Sequence, residues 1–314
     1  MDLYDRRGLK SAAAEALDHA PRHRKLVLLW IGTSAAVSLL TSLISLLLDT
    51  GIASTGGLAG IGTRNILSTV QSVLSLGISL LMPFWTLGYA RATLQLGRKE
   101  PTQPRTLLSG FHRFGPVLRL LLLQVVLYCA IIMVCFSVGT TILSMTPLAN
   151  PLYEAMTPLV DMLATGQPIS DADRAAVMAA TKPMLIGCAV IILIVLIPVF
   201  YRLRLANLLL MDDPGCGALA ALITSASLMR HRCLAFFRLD LSFWWFYLAE
   251  GLIVVLCYGD SILPAVGVSL PISSDAAYFL FYAAAMALQV GLYWGVRNRV
   301  SVTYALAYDT IRGR

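Results

Sequence analysis

The sequence predicts an all-α, polytopic membrane protein of six transmembrane helices, joined on one side by amphipathic helices lying in the interface. Three observations lead there. Of the 314 residues 58% are hydrophobic and only 13% charged, where soluble domains carry about 25% charged residues. The apolar residues gather into runs long enough to cross the hydrocarbon layer, which takes about 20 residues for roughly 30 Å. The basic residues sit between alternate runs, the distribution that sets orientation in a bilayer.

Residues 1–25 are polar and basic, and Leu9, Ala13, Ala16, Leu17 and Ala20 lay an apolar stripe along one helical face. Such a helix is expected to rest at the headgroups. The apolar run behind it exceeds a signal-peptide core and lacks a small-residue cleavage site, so it is expected to stay attached as the first span. The transmembrane domain is placed over 26–310, with spans at Leu26–Leu48, Ile66–Leu87, Val117–Leu143, Met184–Leu210, Phe236–Tyr258 and Ala276–Val296.

The connections fix the topology. Of the 24 Lys and Arg residues, 21 fall in the N-terminal segment, the 88–119 and 202–238 connections and the C-terminus, and the others are Arg64, Arg174 and Lys182. The positive-inside rule then puts both termini in the cytoplasm of a bacterial cell, with the chain in the cytoplasmic membrane. Of the external connections, 49–65 is Gly-rich and 259–275 carries Pro264 and Pro271. The third, 144–182, is an acidic insert with Glu154, Asp161, Asp171 and Asp173, where Ser170 is placed to cap a helix over 171–181 and form a small external cap. On the basic side, Leu219, Leu222, Ile223, Ala226 and Met229 predict a second interfacial helix over 218–229, with Asp213 as its N-cap and Pro214 at its first position.

A parallel internal repeat emerges from two stretches that align without a gap, His112-Arg113 through Arg119 to Leu122 and His231-Arg232 through Arg238 to Leu241. Each leads into a span, and upstream of each lies a span expected to be interrupted by a proline, Pro83 or Pro198, and ending in arginine, Arg91 or Arg202 and Arg204. Two readings stand side by side. Basic residues anchor any helix entering a membrane from the cytoplasm. Alternatively Arg113, Arg119, Arg232 and Arg238 form two symmetry-related pockets for anionic lipid headgroups.

Two acids fall inside the fifth span. Asp240 and Glu250, with Phe243 and Tyr247, share one helical face that should point into the bundle. Asp240 lies near the cytoplasmic end, within reach of Arg238, Arg202 or Arg204 as a structural clamp. For Glu250 no cation is expected at its depth, and the polar candidates are Gln289 and Gln71. Desolvation without a cation favours the neutral carboxyl, either as a proton-exchanging group or as a neutral hydrogen-bonding one.

Enzyme signatures are absent from the sequence: there is no HExxH, no GxSxG and no Walker loop, and His19, His23, His112 and His231 all lie in basic context. The six cysteines show no metal-type spacing and read as small buried hydrophobes. No cofactor, metal or nucleic-acid partner is expected. The expected function is transport or handling of a lipid or amphiphile, with anionic headgroups as partners. The alternative is a non-catalytic scaffold or regulator of a partner membrane protein.

The runs Pro83-Phe-Trp-Thr-Leu-Gly88-Tyr-Ala-Arg91 and Leu107-Leu-Ser-Gly-Phe111-His-Arg-Phe114, then Ile197-Pro198 and Asn207 through Asp213-Pro214, resemble a bacterial family known as domain of unknown function 975. The closing Val302-Thr-Tyr304-Ala-Leu-Ala-Tyr308-Asp309 fits its C-terminal pattern. The resemblance implies an integral membrane protein, chiefly of Gram-positive gut and soil bacteria, distantly similar to the membrane domain of some glycerophosphodiester phosphodiesterases. It implies no activity and no catalytic residues. The sequence departs from the family in the larger 144–182 insert and in Val199-Phe200, where Gly-Ile is usual after the proline.

Overall fold

A computed structural model describes residues 3, 5–54, 58–165, 170–259, 262–263 and 274–313, and every regular element among them is helical. Its helices are α1 (Arg6–Asp18), α2 (Pro21–Ser54), α3 (Leu58–Gly97), α4 (Ser109–His112), α5 (Phe114–Ser144), α6 (Asn150–Thr165) and α7 (Asp171–Leu203). There follow α8 (Ala206–Asp212), α9 (Ala218–Met229), α10 (Cys233–Leu241), α11 (Trp244–Cys257), α12 (Ser274–Leu292) and α13 (Asn298–Arg312), the last two joined by a π-helical turn, Tyr293–Arg297. Five helices are long and apolar enough to cross a membrane, or six if the bent pair α10 and α11 forms one span. Most of the 259–275 connection lies outside the described residues, as do parts of 49–65 and 144–182.

The chain divides into two compact units. The first comprises residues 1–117, 205–221 and 234–314. In it α2 packs on α3 through Leu26, Val27, Trp30 and Ile31 against Tyr89, Ala92 and Leu107. The stripe on α1 is covered by the chain itself: Ala13 and Leu17 pack with Leu96 of α3 and Val302 of α13, and Leu9 is fully buried. The apolar stripe of α1 is thus seated on α3 and α13, which cover it.

Two of the family-like motifs meet here. A Cβ at Gly88 would overlap the Leu107 carbonyl, and one at Gly110 would overlap the Phe84 carbonyl. Only glycine lets the α3 backbone and the 104–112 segment cross this closely. Phe84 then stacks on Phe111 and Phe114, with ring centroids 5.6 and 4.8 Å apart.

Proline does not break the spans where expected. Helix α3 runs through Pro83, and α7 runs through Pro183 and Pro198. The break falls in the fifth span instead, where α10 and α11 meet at a 69° bend. Neither Pro nor Gly lies there. The Ser242 hydroxyl donates to the Leu239 carbonyl at 2.6 Å, and Phe243 leaves helical geometry at φ −112° and ψ 21°. Basic residues of α1 reach carbonyls at the bend: Lys10 Nζ donates to Ser242 O at 2.8 Å and lies 3.9 Å from the Phe243 ring centroid, while Arg6 reaches Arg238 O at 3.4 Å. Burial, with the Arg6 charge nearby, lowers the Lys10 pKa from its ordinary value.

The second unit comprises residues 118–204 and 222–233. Ser170 and Asp173 form the expected capping box at the start of α7. The helix they cap does not stop at 181, however, but continues without interruption to Leu203. At 1.5 Å per residue α7 is about 50 Å long, so its first turns project beyond a roughly 30 Å apolar layer. Helix α6 packs on α7, and Gly139 and Gly187 admit close approach of α5 and α7. The insert is thus an extension of a span with a second helix leaning on it.

Candidate functional site

The site is built where α1, α3 and α13 converge in the first unit. Helix α3 closes in a Schellman turn: Glu100 N donates to Gln95 O at 2.8 Å and Lys99 N to Leu96 O at 3.0 Å. Lys99 holds the left-handed position of that turn at φ 60°, a place usually taken by glycine. Arg98, one residue earlier, is aimed across the unit. It grips Asp309 with Nε and Nη2, the shorter contact 2.6 Å, and reaches Asp212 with Nη1 at 2.5 Å.

Asp212 is also bonded by the Tyr308 hydroxyl at 2.9 Å and Arg312 at 2.8 Å. The Asp212 and Asp309 side chains are only 2% and 9% exposed. Hydrogen bonds donated to both carboxylates, Asp309 first, hold the Arg98 guanidinium above its ordinary pKa, against the opposing cost of burial. Two arginines, two aspartates and a tyrosine therefore tie the ends of α3, α8 and α13 into one neutral knot.

A polar core lies behind the knot. His23 Nε2 and the Tyr89 hydroxyl both face Asn298 Oδ1, at 3.2 and 3.3 Å, and Trp30 stacks on Tyr89 with centroids 4.3 Å apart. His23 is fully buried, and its Nδ1 has no hydrogen-bond partner.

Beside this scaffold a cavity of about 620 Å³ opens between α1 and the end of α3. Ala12, Ala16, Ala20, Leu96 and Leu306 form its apolar lining, and His19, Arg22, Lys99, Glu15 and Glu100 its polar one. The candidate span on α2 starts at Arg22 and that on α3 ends at Gly97. The cavity therefore lies beside the ends of these two helices.

The residues singled out from sequence fall elsewhere. Arg113 caps the C-terminus of α8, donating to the carbonyls of Leu210, Asp213, Pro214 (2.7 Å) and Cys216. Its donors are thereby drawn away from an anion pocket. Arg232 donates to Leu228 O at 3.5 Å. Arg119, Arg202 and Arg238 are exposed, Arg91 and Gln71 are half-buried on α3, and Arg204 lies 5.6 Å from the Tyr201 ring. Arg113 and Arg238 belong to the first unit, Arg119 and Arg232 to the second.

Asp213 does not cap α9. It closes α8 and accepts from Gly215 N at 2.9 Å, leaving α9 to start at Ala218. On α9, Leu222 and Met229 are buried within the chain, and Leu219 and Ile223 are 60% and 62% exposed. Ala218, Ala221 and Ser225 complete the covered face.

Both intramembrane acids are engaged by other side chains. Asp240 is bonded by the Tyr247 and Tyr304 hydroxyls. Glu250 pairs with Arg297 at 2.7 Å, which overturns the expectation that no cation reaches its depth. Arg297 gets there because the π-helical turn carries the sixth helix past Val296 without unwinding. Gln289 bonds the Tyr293 hydroxyl at 3.3 Å, and Arg297 shares that hydroxyl at 3.4 Å.

Arg98, Asp309, Arg312, Asn298 and Lys99 were not singled out by sequence reasoning. The closing Tyr308-Asp309 pattern was the available signal for part of this set. No group of His, Cys, Asp and Glu among the described residues could hold a metal ion. A family model described as a protein of unknown function, DUF975, matches residues 1–309. No curated protein and no solved structure matches, and the expected distant likeness to phosphodiesterase membrane domains is not shown.

Proposed function

The chain belongs to the DUF975 family of proteins of unknown function, and from that premise we propose that it handles a membrane amphiphile at the polar end of its first unit. One observation carries the reading: the cavity of about 620 Å³ has an apolar lining, a charged rim and a position at the end of two spans. Its size falls in the range of small-molecule sites, and the mixed lining matches a molecule with one greasy and one polar end. The reading is of binding without catalysis. Asp212, Asp309 and Glu250 are engaged in ion pairs, and the Arg98 knot serves to hold the cavity walls in register.

The asymmetry of 21 basic residues against three supports placing this end, and both termini, in the cytoplasm of a bacterial cell. A second reading, a scaffold for a partner membrane protein, draws on the second unit. None of the apolar window of α5 is buried, and 6% of the window on α7 and its continuation is. These faces suit either lipid or a partner helix.

The cavity reading is tested by photo-crosslinking in membranes with a lysophospholipid carrying a diazirine in its chain, followed by peptide mapping. Adducts should concentrate on residues 12–22 and 96–102. Adducts confined to the outward faces of α5 and α7 would contradict it.

A further inference from the structure

The rim of the cavity carries charge of both signs, and its best-placed cation occupies a strained backbone position. Arg22 and Lys99 bring two positive charges to the lining, Glu15 and Glu100 two negative ones, with His19 beside them. A rim built to collect anions would not place two carboxylates on its edge, since like charges facing a ligand oppose its binding. A balanced rim suits a headgroup that is itself balanced.

Lys99 supplies an independent observation. At φ 60° it is the non-glycine residue of positive φ in the described chain, in the slot of a Schellman turn where glycine is favoured. A side chain there strains the backbone, and strain of this kind concentrates where a side chain is needed for function. Glycine in that slot would close α3 equally well. What it would lack is an ammonium on the cavity wall. Arg98, the neighbouring residue, is locked to Asp212 and Asp309, so the turn that presents Lys99 is rigidly held.

We propose that the cavity binds a zwitterionic phospholipid-type amphiphile, its phosphate against Lys99 and Arg22 and its amine against Glu15 and Glu100, with Lys99 kept in a strained turn for that contact. The assignment rests on the amphiphile reading above and adds the headgroup class. The apolar chain lies along Ala12, Ala16, Ala20, Leu96 and Leu306. His19 stands at the same rim and contributes a further donor.

Native mass spectrometry of the full chain in a neutral detergent, titrated with lysophosphatidylethanolamine and with lysophosphatidylglycerol of the same chain length, tests this directly. The zwitterionic probe should bind about tenfold more tightly than the anionic one, the effect of one well-placed charge contact. Lys99→Gly should lose most of the affinity for both probes, whose shared phosphate Lys99 meets, while its thermal unfolding midpoint rises by a few degrees because the strain is relieved. Lys99→Asn, which also accommodates positive φ, should lose affinity in the same way. Glu15→Gln with Glu100→Gln, which removes the partners of the amine, should lose the preference instead.

Equal binding of the two probes would overturn the headgroup assignment and leave the amphiphile reading standing. Unchanged binding by both Lys99 variants would overturn the role of Lys99. Binding of neither probe to the wild-type chain would overturn the amphiphile reading itself, and this inference with it.

Discussion

Arg98 bridges two carboxylates that are nearly out of solvent. Removing one partner of such a buried arrangement leaves the other charges stranded, at a cost of about 3–5 kcal/mol. Arg98→Met should therefore lower the unfolding midpoint sharply in a detergent-based thermal assay. Arg98→Lys, which keeps the charge but not the fork, should fall between the two. The Glu250–Arg297 pair lies within a candidate span, so each single neutralisation leaves the other charge unpaired in an apolar layer and should cost about 3 kcal/mol. The reversed pair, Glu250→Arg with Arg297→Glu, should recover stability lost by either reversal alone. If the double reversal is no better than the worse single one, the pair does not act as a unit.

Among the elements, the crossing of α3 with the 104–112 segment and the bend between α10 and α11 set the architecture of the first unit. At the crossing, Gly88→Ala or Gly110→Ala drives a methyl group into backbone rather than into a yielding side chain, and each should cost about 3 kcal/mol or more. Gly77→Ala is the control, because a Cβ there meets nothing within 4 Å, and it should be neutral or stabilising in the same assay. At the bend, Lys10→Met removes the donor to Ser242 O and the cation over Phe243. Faster deuterium exchange at residues 239–244 in that variant is the expected readout, and unchanged exchange would mean that α1 does not hold the bend.

Much of this was legible in the sequence at the level of elements and little at the level of contacts. The apolar runs gave away the long helices, and the Ser170-x-x-Asp173 pattern located the start of α7, because both signals are local. The bend at Ser242–Phe243 carries no Pro or Gly, and the sixth helix continues into residues polar enough to read as a tail. The Arg98 knot joins positions more than a hundred residues apart, so each member looked like an ordinary flank charge. Arg113 was conspicuous for its place in a repeat, yet its donors go to the carbonyls that end α8.

On the scale of the whole molecule, a family of unknown function is represented here by a chain whose first unit is tied together by buried ion pairs around a cavity, and whose second presents long apolar helices. The basic asymmetry belongs at this scale too: reporter fusions at 55 and 160 should read external, and a cytoplasmic signal from either would overturn the orientation. The account turns on the cavity being occupied by an amphiphile in the membrane. Lipid retained through purification, measured by native mass spectrometry on the wild-type chain and on Ala12→Trp, whose indole would fill the space between α1 and the end of α3, puts that to the test. The account predicts a bound species of lipid mass on the wild-type chain that is lost from a folded Ala12→Trp variant. Equal retention by the two would contradict it.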